Sequence, residues 1–233
     1  MLFRTGFRSY SPAREITIGL SLYAVYLLVR RLALAGDGPK RADINAERIV
    51  ALERRLGIHV ESQLQRLVLP HRRLVTALNL GYGTLNIGAT VAWLIRLFVC
   101  RDPAFHRYRD ASVLAVLLAQ PVFLAFPVAP PRKLDHLVDT IAEVSGFDLD
   151  SGVIAKLYHP LAAMPSIHMT IAMVTADGMR ERARRPWARR TARAYPVVVA
   201  GVVLLTANHY VLDVAAGALI GRLALRLSRA LNG

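Results

Sequence analysis

The sequence predicts an all-α polytopic membrane protein, a bundle of about six transmembrane helices with an external pair of amphipathic helices. Composition is the first reason, because the chain is 54% hydrophobic with a mean hydropathy of +0.36, yet its formal net charge is +14. The second reason is that charged clusters alternate with apolar runs. Residues 74–95 and 111–131 carry no charged side chain and reach the roughly 20 residues that cross a bilayer core.

Four runs that are shorter or less apolar complete the predicted bundle, at residues 16–29, 161–176, 194–207 and 210–227. A buried helix of a soluble protein is the alternative for the first and fourth segments of the bundle. The first segment also has features of a cleaved signal peptide, because the small residues 33–35 follow its apolar run. Arg30 and Arg31 interrupt that pattern, so we expect a retained helix whose arginines reach the headgroups.

The loop arginines predict the orientation. They lie before the first segment, in the loops after the second and fourth segments, and at the end of the chain: Arg4, Arg8, Arg14, residues 101–109, residues 180–193, Arg226 and Arg229. With an even number of spans these positions share one side, which the positive-inside rule makes cytoplasmic. We therefore expect cytoplasmic termini and a plasma-membrane location, although the external loop 30–73 is also rich in arginine.

Composition disfavours other classes. The single cysteine, Cys100, excludes a disulfide framework and a cysteine-based zinc cluster. Nucleic-acid binders interleave basic residues with aromatics, whereas only 7% of this chain is aromatic. No nucleic-acid partner is expected, and the sequence leaves the oligomeric state open.

Residues 40–70 are predicted to form an external amphipathic segment of two helices. In the first helix Ile49, Leu52 and Leu56 have helical spacing, and Glu53 falls outside that apolar stripe. The remaining markers are the boundaries and the second helix: Asp43 or Asn45 at the start, Gly57 at the end, then Leu64, Leu67 and Val68 before Pro70. The pair either lies on the membrane surface or packs on the bundle. No linker divides the chain, so we expect a single domain over residues 1–233.

Ionisable residues at membrane depth indicate a functional site. His209 and Asp213 are spaced i, i+4 and therefore share a helix face. An aspartate one turn away can accept the Nδ1–H of the imidazole, which leaves Nε2 as a nucleophile or base. Gly217 and Gly221 continue that face and permit close helix contact.

A second motif is predicted to begin a helix. Pro165 and Ser166 directly precede an apolar run, and serine is a preferred N-cap. The free N–H groups of a helix N-terminus suit a phosphate. His168, in the first turn, can then protonate a leaving oxygen as a general acid.

Arg132 carries the third motif. The prolines of residues 127–131 end the third segment, so Arg132 is delivered at the external surface, where its planar fork suits phosphate oxygens. Together the three motifs predict a phosphoryl-transfer site. A metal site formed by His168, His209 and Asp213 is the competing interpretation.

At these residues the chain resembles the type 2 phosphatidic acid phosphatase superfamily. Residues 165–168 (Pro-Ser-Ile-His) match its Pro-Ser-x-His motif, and residues 209–213 match its His-x-x-x-Asp motif. Residues 162–168, 208–217 and 127–132 are most similar to inositol phosphorylceramide synthases and their bacterial relatives. The resemblance covers about residues 40–222, with the catalytic motifs inside 127–222.

The resemblance implies a six-helix bundle with an active site at the external face that acts on a lipid phosphate without a metal or other cofactor. It implies that His209 attacks phosphorus, that Asp213 orients His209, and that His168 protonates the leaving group. Arg132 and Ser166 would bind the phosphate. Either water or an alcohol such as inositol would accept the phosphoryl group, so phosphatase and inositolphosphotransferase activities both stay open.

Two departures from the superfamily pattern remove cations. Ala125 stands where its first motif has a lysine, and Val203 stands where its third motif has an arginine. Lys133 and Asn208 are the candidates that compensate in phosphate binding. The departures favour the synthase-like subgroup, and the alternative is a catalytically inactive lipid-binding protein with the same fold.

Overall fold

The computed structural model describes residues 10–146, 149 and 151–232, apart from the side chains of residues 85, 86 and 153–155. The regular structure in these residues is helical, which confirms the predicted all-α class. The α-helices are α1 Pro12–Leu34, α2 Gly38–Leu56, α3 Glu61–Val68, α4 Arg72–Leu80, α5 Asn86–Val99, α6 Phe105–Ala125, α7 Thr140–Ser145, α8 Gly152–Leu157, α9 Ile167–Arg182, α10 Pro186–Leu205 and α11 Val211–Asn232. A π-helical turn at Gly81–Leu85 and a 3-10 turn at Pro131–Lys133 complete the set.

Two of the described helices, α1 and α6, are long and apolar enough to cross a membrane. A third span results if the bent pair Arg72–Thr84 and Ile87–Val99 is counted as one. Along α1 the large apolar side chains Ile16, Leu20 and Leu28 are more than half exposed, as expected for a surface that lipid covers. The membrane-type fold is thus supported, but the predicted count of six spans is not confirmed.

The predicted segment 74–95 is not one straight helix. The chain bends by 44° between Thr84 and Ile87, after the π-helical turn. Gly81 and Gly83 explain the position, because glycine has a low helix propensity and π turns interrupt the regular hydrogen-bond ladder.

The predicted segment 161–176 begins too early. Ser166 caps α9 by accepting the N–H of Met169 (3.3 Å), so the helix begins at Ile167 and residues 161–166 form a connection. The proline that precedes Ser166 is incompatible with a continuous helix through this region.

Helices α2 and α3 cover the segment predicted to be an amphipathic pair, and the buried face of α2 packs on the bundle. Ala46, Ile49 and Val50 join a core cluster with Val128 and Tyr210. The pair thus covers the bundle at this face rather than lying only on a membrane surface.

Of the predicted apolar stripe of α2, only Ile49 is buried. Leu52 and Leu56 are about half exposed, whereas Glu53 is fully buried. The helix also begins at Gly38, after Asp37, and not at Asp43 or Asn45. Its predicted end is confirmed, since Gly57 adopts the left-handed conformation (φ 69°) that glycine tolerates at a helix C-cap.

Ion pairs bring the predicted basic loops 101–109 and 180–193 and the last turns of α11 together at one end of the bundle. Arg4 and Arg8, which were also predicted on this side, lie outside the described residues. Arg107 at the start of α6 pairs with Glu181 near the end of α9, and Arg229 near the end of α11 lies 2.7 Å from Asp177. Arg182 pairs with Asp102 in the same region. These side chains are partly exposed, so each pair contributes little to stability, but together they show that the three elements meet at this end.

Helices α9 and α11 approach so closely that only glycine fits at two positions. A Cβ added to Gly217 would lie 2.5 Å from the carbonyl oxygen of Ser166, and one added to Gly221 would lie 2.7 Å from that of Thr170. Thr170 bridges the helices by donating its hydroxyl to the carbonyls of Ser166 (2.8 Å) and Gly217 (3.1 Å). The predicted close contact is confirmed.

We expect Gly217→Ala to destabilise the protein by about 1–3 kcal/mol, because the added methyl group must push α11 away from the backbone of α9. Gly201→Ala on α10 is the matched control, since a Cβ there meets nothing within 4 Å. Its expected effect is neutral or a gain of up to about 1 kcal/mol, from helix propensity. Thermal unfolding of the purified variants in detergent measures both, and equal midpoints would contradict this account of the contact.

Candidate functional site

Backbone hydrogen bonds bring the three sequence motifs together at the end of the bundle away from the basic loops. Val128 N–H donates to the Leu161 carbonyl (2.9 Å), which ties the first motif to the second. Arg132 N–H donates to the Ala207 carbonyl (2.8 Å), which ties the first to the third. Ser166 N–H donates to the Asp213 carbonyl (3.0 Å), which ties the second to the third. The site is therefore held by main chain as well as by side-chain packing.

The hydrogen bond of His209 determines which of its two ring nitrogens keeps a lone pair. Its Nδ1 lies 2.9 Å from the carbonyl oxygen of Ala163. A carbonyl can only accept, so Nδ1 carries the proton and the neutral ring has its lone pair on Nε2. Nε2 is buried and has no hydrogen-bond partner among the described residues. Burial lowers the pKa of His209 to about 4, against the favourable Ala163 contact, so the ring is neutral near pH 7.

Asp213 contacts His209 less directly than the spacing suggests. Its Oδ2 lies 3.4 Å from Nδ1 of His209, farther than the Ala163 carbonyl, and accepts the N–H of Tyr210 at 2.9 Å. The carbonyl of Ala163 therefore shares the orienting role that the i, i+4 pattern predicts for Asp213 alone. A backbone acceptor supplied by another segment leaves no mark in the sequence.

His168 faces His209 across a short gap. Their ring centroids are 5.6 Å apart and the rings meet edge-on. The ring of Tyr82 stacks on the imidazole of His168, with their centroids 4.4 Å apart, and this contact fixes the orientation of the imidazole. Ser166 is fully buried and caps the helix that carries His168, so its hydroxyl is engaged by the backbone.

Arg132 is almost fully buried and held by two side chains. Its Nε donates to Oδ1 of Asn208 (3.1 Å), and its Nη1 lies 2.7 Å from Oδ2 of Asp139. Asn208 precedes His209, so the guanidinium is linked to the histidine turn. Lys133 is instead exposed. Neither Arg132 nor Lys133 is among the described residues that line the cavity beside the two histidines.

His168 and His209 both line a cavity of about 700 Å³. Its lining is largely apolar and aromatic, with side chains from α1, the π-helical turn, α5 and α6: Leu22, Tyr23, Tyr26, Tyr82, Ile87 and Val116. His168, Asn208 and His209 lie in the same lining. The arrangement joins a polar reaction centre to a space that suits a hydrocarbon chain.

Sequence reasoning missed three residues that the structure brings to the site. Tyr82 stacks on His168, Asp139 pairs with Arg132, and His159 lines the cavity while only 2% exposed. Burial lowers the pKa of His159 to about 4. Gly-Tyr-Gly at residues 81–83 and a histidine beside Pro160 were the available signals, and neither is specific.

Ala125 and Val203, the two positions that depart from the superfamily pattern, both accept hydrogen bonds through their backbone carbonyls. Ala125 is exposed at the end of α6, where its carbonyl accepts a hydrogen bond from Arg41 (2.9 Å). Val203 is buried, and its carbonyl accepts the N–H groups of Asn208 (3.0 Å) and His209 (3.2 Å). Val203 thus supports the histidine turn through its backbone.

Beside the site lies a second buried cluster, formed by Glu53, His59 and Glu61. Their candidate ligand atoms lie within 4.8 Å of one another, whereas His168, His209 and Asp213 do not form such a group in the part of the chain that is described. Nδ1 of His59 is 2.9 Å from Oε2 of Glu61, a direct ion-pair distance that suits a histidine paired with a carboxylate. The geometry therefore disfavours the metal set of two histidines and one aspartate.

The apolar helices and the paired histidines are compatible with a phosphatase or phosphotransferase that acts at a membrane. A family model described as PAP2 superfamily matches residues 47–227, and the chain belongs to that superfamily. No curated protein and no solved structure matches the chain.

The burial of Glu53 predicts a pH-dependent stability. Burial raises the pKa of Glu53 to about 8, opposed by the N–H of Leu212 and assisted by the nearby carboxylate of Glu61. His59, Asp213 and Tyr210 are ionisable groups that face this pair. Because the folded pKa exceeds the ordinary value of 4.5, the folded state loses stability as pH rises from the lower value through the higher one.

We expect the melting temperature of the protein to fall between about pH 5 and about pH 8, and to fall less in Glu53→Gln, which cannot ionise. Glu47→Gln, an exposed acid on the same helix, should keep the original slope. Equal slopes for all three proteins would contradict the raised pKa.

Proposed function

We propose that the protein is an integral membrane enzyme that transfers the phosphoryl group of a lipid phosphate through a phosphohistidine at His209. The observation that carries this proposal is the buried Nε2 of His209, which has a lone pair and lies at the end of an apolar cavity. A nucleophile at the end of a hydrocarbon-sized space suits a substrate whose phosphate is attached to a lipid.

In the first step Nε2 of His209 attacks phosphorus while the bond to the leaving oxygen breaks. His168, whose ring lies 5.6 Å from that of His209, gives its proton to the leaving oxygen. The guanidinium of Arg132 binds the phosphate oxygens and exchanges part of its pairing with Asp139 for them. Asn208 keeps Arg132 in register with His209, and the N-terminus of α9 at Ser166 adds the positive end of a helix dipole.

In the second step water or an alcohol attacks the phosphohistidine, and His168 takes the proton of the attacking hydroxyl. The bond from phosphorus to Nε2 breaks, which restores the neutral imidazole. With water the product is inorganic phosphate; with an alcohol such as inositol it is a phosphate ester. The similarity of residues 162–168 and 208–217 to inositol phosphorylceramide synthases supports the alcohol.

The proposed topology has six spans in a single domain: α1, the bent pair α4–α5, α6, α9, α10 and α11. Arginines at their ends, such as Arg189 in α10 and Arg226 in α11, lower the hydropathy of the last helices and face the basic end of the bundle. That end and both termini are then cytoplasmic, and the histidine site faces outward in the plasma membrane.

We expect His209→Ala to abolish release of phosphate from a lipid phosphate by the purified protein, because the proposed phosphohistidine forms on its Nε2. The wild type should form an acid-labile, base-stable phosphoprotein from labelled substrate and keep its activity in EDTA, while vanadate should inhibit it. The matched control is His136→Ala, which changes an exposed histidine between the 3-10 turn and α7. Full activity of His209→Ala would refute the mechanism.

His168→Ala separates acid catalysis from attack. It should lose at least about 100-fold in kcat on an ordinary lipid phosphate but much less on one with an aryl leaving group, which needs no proton. If neither substrate is turned over by wild type, while lipid phosphate binding survives His168→Ala and His209→Ala, the chain is the inactive lipid-binding alternative. The missing cations at Ala125 and Val203 favour that alternative.

The topology can be tested through the natural cysteine Cys100, because its reactivity with a maleimide depends on the side of the membrane on which it lies. It is exposed at the basic end of the bundle, just after α5. A membrane-impermeant maleimide should leave it unmodified in intact cells and modify it after permeabilisation. The matched variant Cys100→Ser/His136→Cys should react in intact cells. The reverse pattern would place the site on the cytoplasmic side.

A further inference from the structure

Three consecutive backbone N–H groups at the start of α11 are each bound by a buried carboxylate. Tyr210 N–H donates to Asp213 (2.9 Å), Val211 N–H to Glu61 (3.1 Å), and Leu212 N–H to Glu53 (2.7 Å). All three carboxylates are fully buried. The two glutamates are far from α11 in the sequence, since they come from α2 and α3.

These contacts satisfy donors that a helix leaves unpaired at its N-terminus. The first N–H groups of a helix have no partner inside it, and the positive end of its dipole favours a negative charge there. Most helices use one local side chain for this purpose. Here Asp213 supplies the local acceptor, while Glu53 and Glu61 supply two more from another part of the fold.

The second carboxyl oxygen of each glutamate lies near the ring of His59. Oε2 of Glu61 lies 2.9 Å from Nδ1 of His59, and Oε2 of Glu53 lies 3.6 Å from the same atom. His59 is partly exposed and lies at the edge of the buried acid pair. Burying acid groups is costly unless they are hydrogen-bonded, and each glutamate has one oxygen that accepts a backbone N–H of α11.

The bound N–H groups belong to the turn that carries the site. Tyr210 and Val211 directly follow His209, and Leu212 directly precedes Asp213. A shift of this turn would move Nε2 of His209 relative to His168 and to Arg132. Displacements of about 1 Å at a reaction centre can lower a rate by about 100-fold.

We propose that Glu53 and Glu61 are positioning residues of the reaction, which anchor the start of α11 so that His209 and Asp213 keep their reactive geometry. The inference rests on the proposed function for its kinetic consequence. It assigns a role to the α2–α3 segment, none of whose described residues lines the cavity. In this role the segment acts through the backbone of α11.

The first test is hydrogen exchange measured by mass spectrometry on the purified protein in detergent, which does not depend on turnover. In Glu53→Ala and Glu61→Ala, peptides that cover residues 208–214 should exchange at least about 10-fold faster, while peptides from α6 and α9 stay unchanged. Glu47→Ala, an exposed residue of α2, is the control and should leave every peptide unchanged. Unchanged exchange at 208–214 in both variants would overturn the anchor.

The second test is kinetic and includes a conservative rescue. The alanine variants should lower kcat by about 10- to 100-fold with little change in KM, because the substrate cavity is intact and the nucleophile is displaced. Glu53→Gln and Glu61→Gln keep an oxygen acceptor for the N–H groups and should retain kcat within about threefold near pH 7. If the alanine variants lower only the melting temperature and leave kcat unchanged, the role is structural and the proposal is wrong.

The outcomes separate this inference from the proposed function. Faster exchange at 208–214 in the alanine variants, together with an active His209→Ala protein, would keep the anchor and refute the phosphohistidine. Normal exchange together with an inactive His209→Ala protein would do the opposite.

Discussion

The close contact between α9 and α11 is the constraint on which the rest of the site depends. Without side chains at Gly217 and Gly221, the backbones of the two helices approach until Thr170 can bind carbonyls of both. This contact places the first turn of α9, with His168, beside the turn that precedes α11, with His209. A phosphorus atom can be attacked on one side and its leaving oxygen protonated on the other only if two such groups share a small space.

Much of the positive charge of the chain lies away from the histidine site. The sequence has 30 lysines and arginines, and many of them lie at the opposite end of the bundle in partly exposed pairs with acids. Arg132 is the cation held beside His209, through Asn208. Its pairing with Asp139 satisfies a buried guanidinium before a substrate arrives. In the proposed mechanism, phosphate binding is therefore an exchange of anions rather than the filling of an empty positive site.

The carboxylates around the start of α11 complete that electrostatic arrangement. Glu53, Glu61 and Asp213 bind successive N–H groups of one turn. In the proposed role, the α2–α3 segment supports the reaction without lining the cavity. His209 lines that cavity, so the turn that carries the imidazole is held by carboxyl groups and also borders a largely apolar space.

The sequence by itself determined the helical class, the apolar segments and the residue types that carry the chemistry. Such features are local: long uncharged runs, a serine before a helix, and histidine and aspartate one turn apart on one face. The tight spacing of Gly217 and Gly221 belongs with them, since small residues at helical spacing predict close contact. For the same reason the end of α2 at Gly57 was predictable, because a left-handed cap favours glycine.

Only the tertiary structure decided which groups meet across the chain. The carbonyl of Ala163 orients His209, Tyr82 stacks on His168, and a bend replaces a straight second span. Helical periodicity placed Glu53 on the polar side of α2, yet it is fully buried, because the N–H groups of α11 are there to receive it. Whether a charged residue faces water or a helix N-terminus depends on a partner more than 150 residues away in the chain, and a local pattern contains no information about that partner.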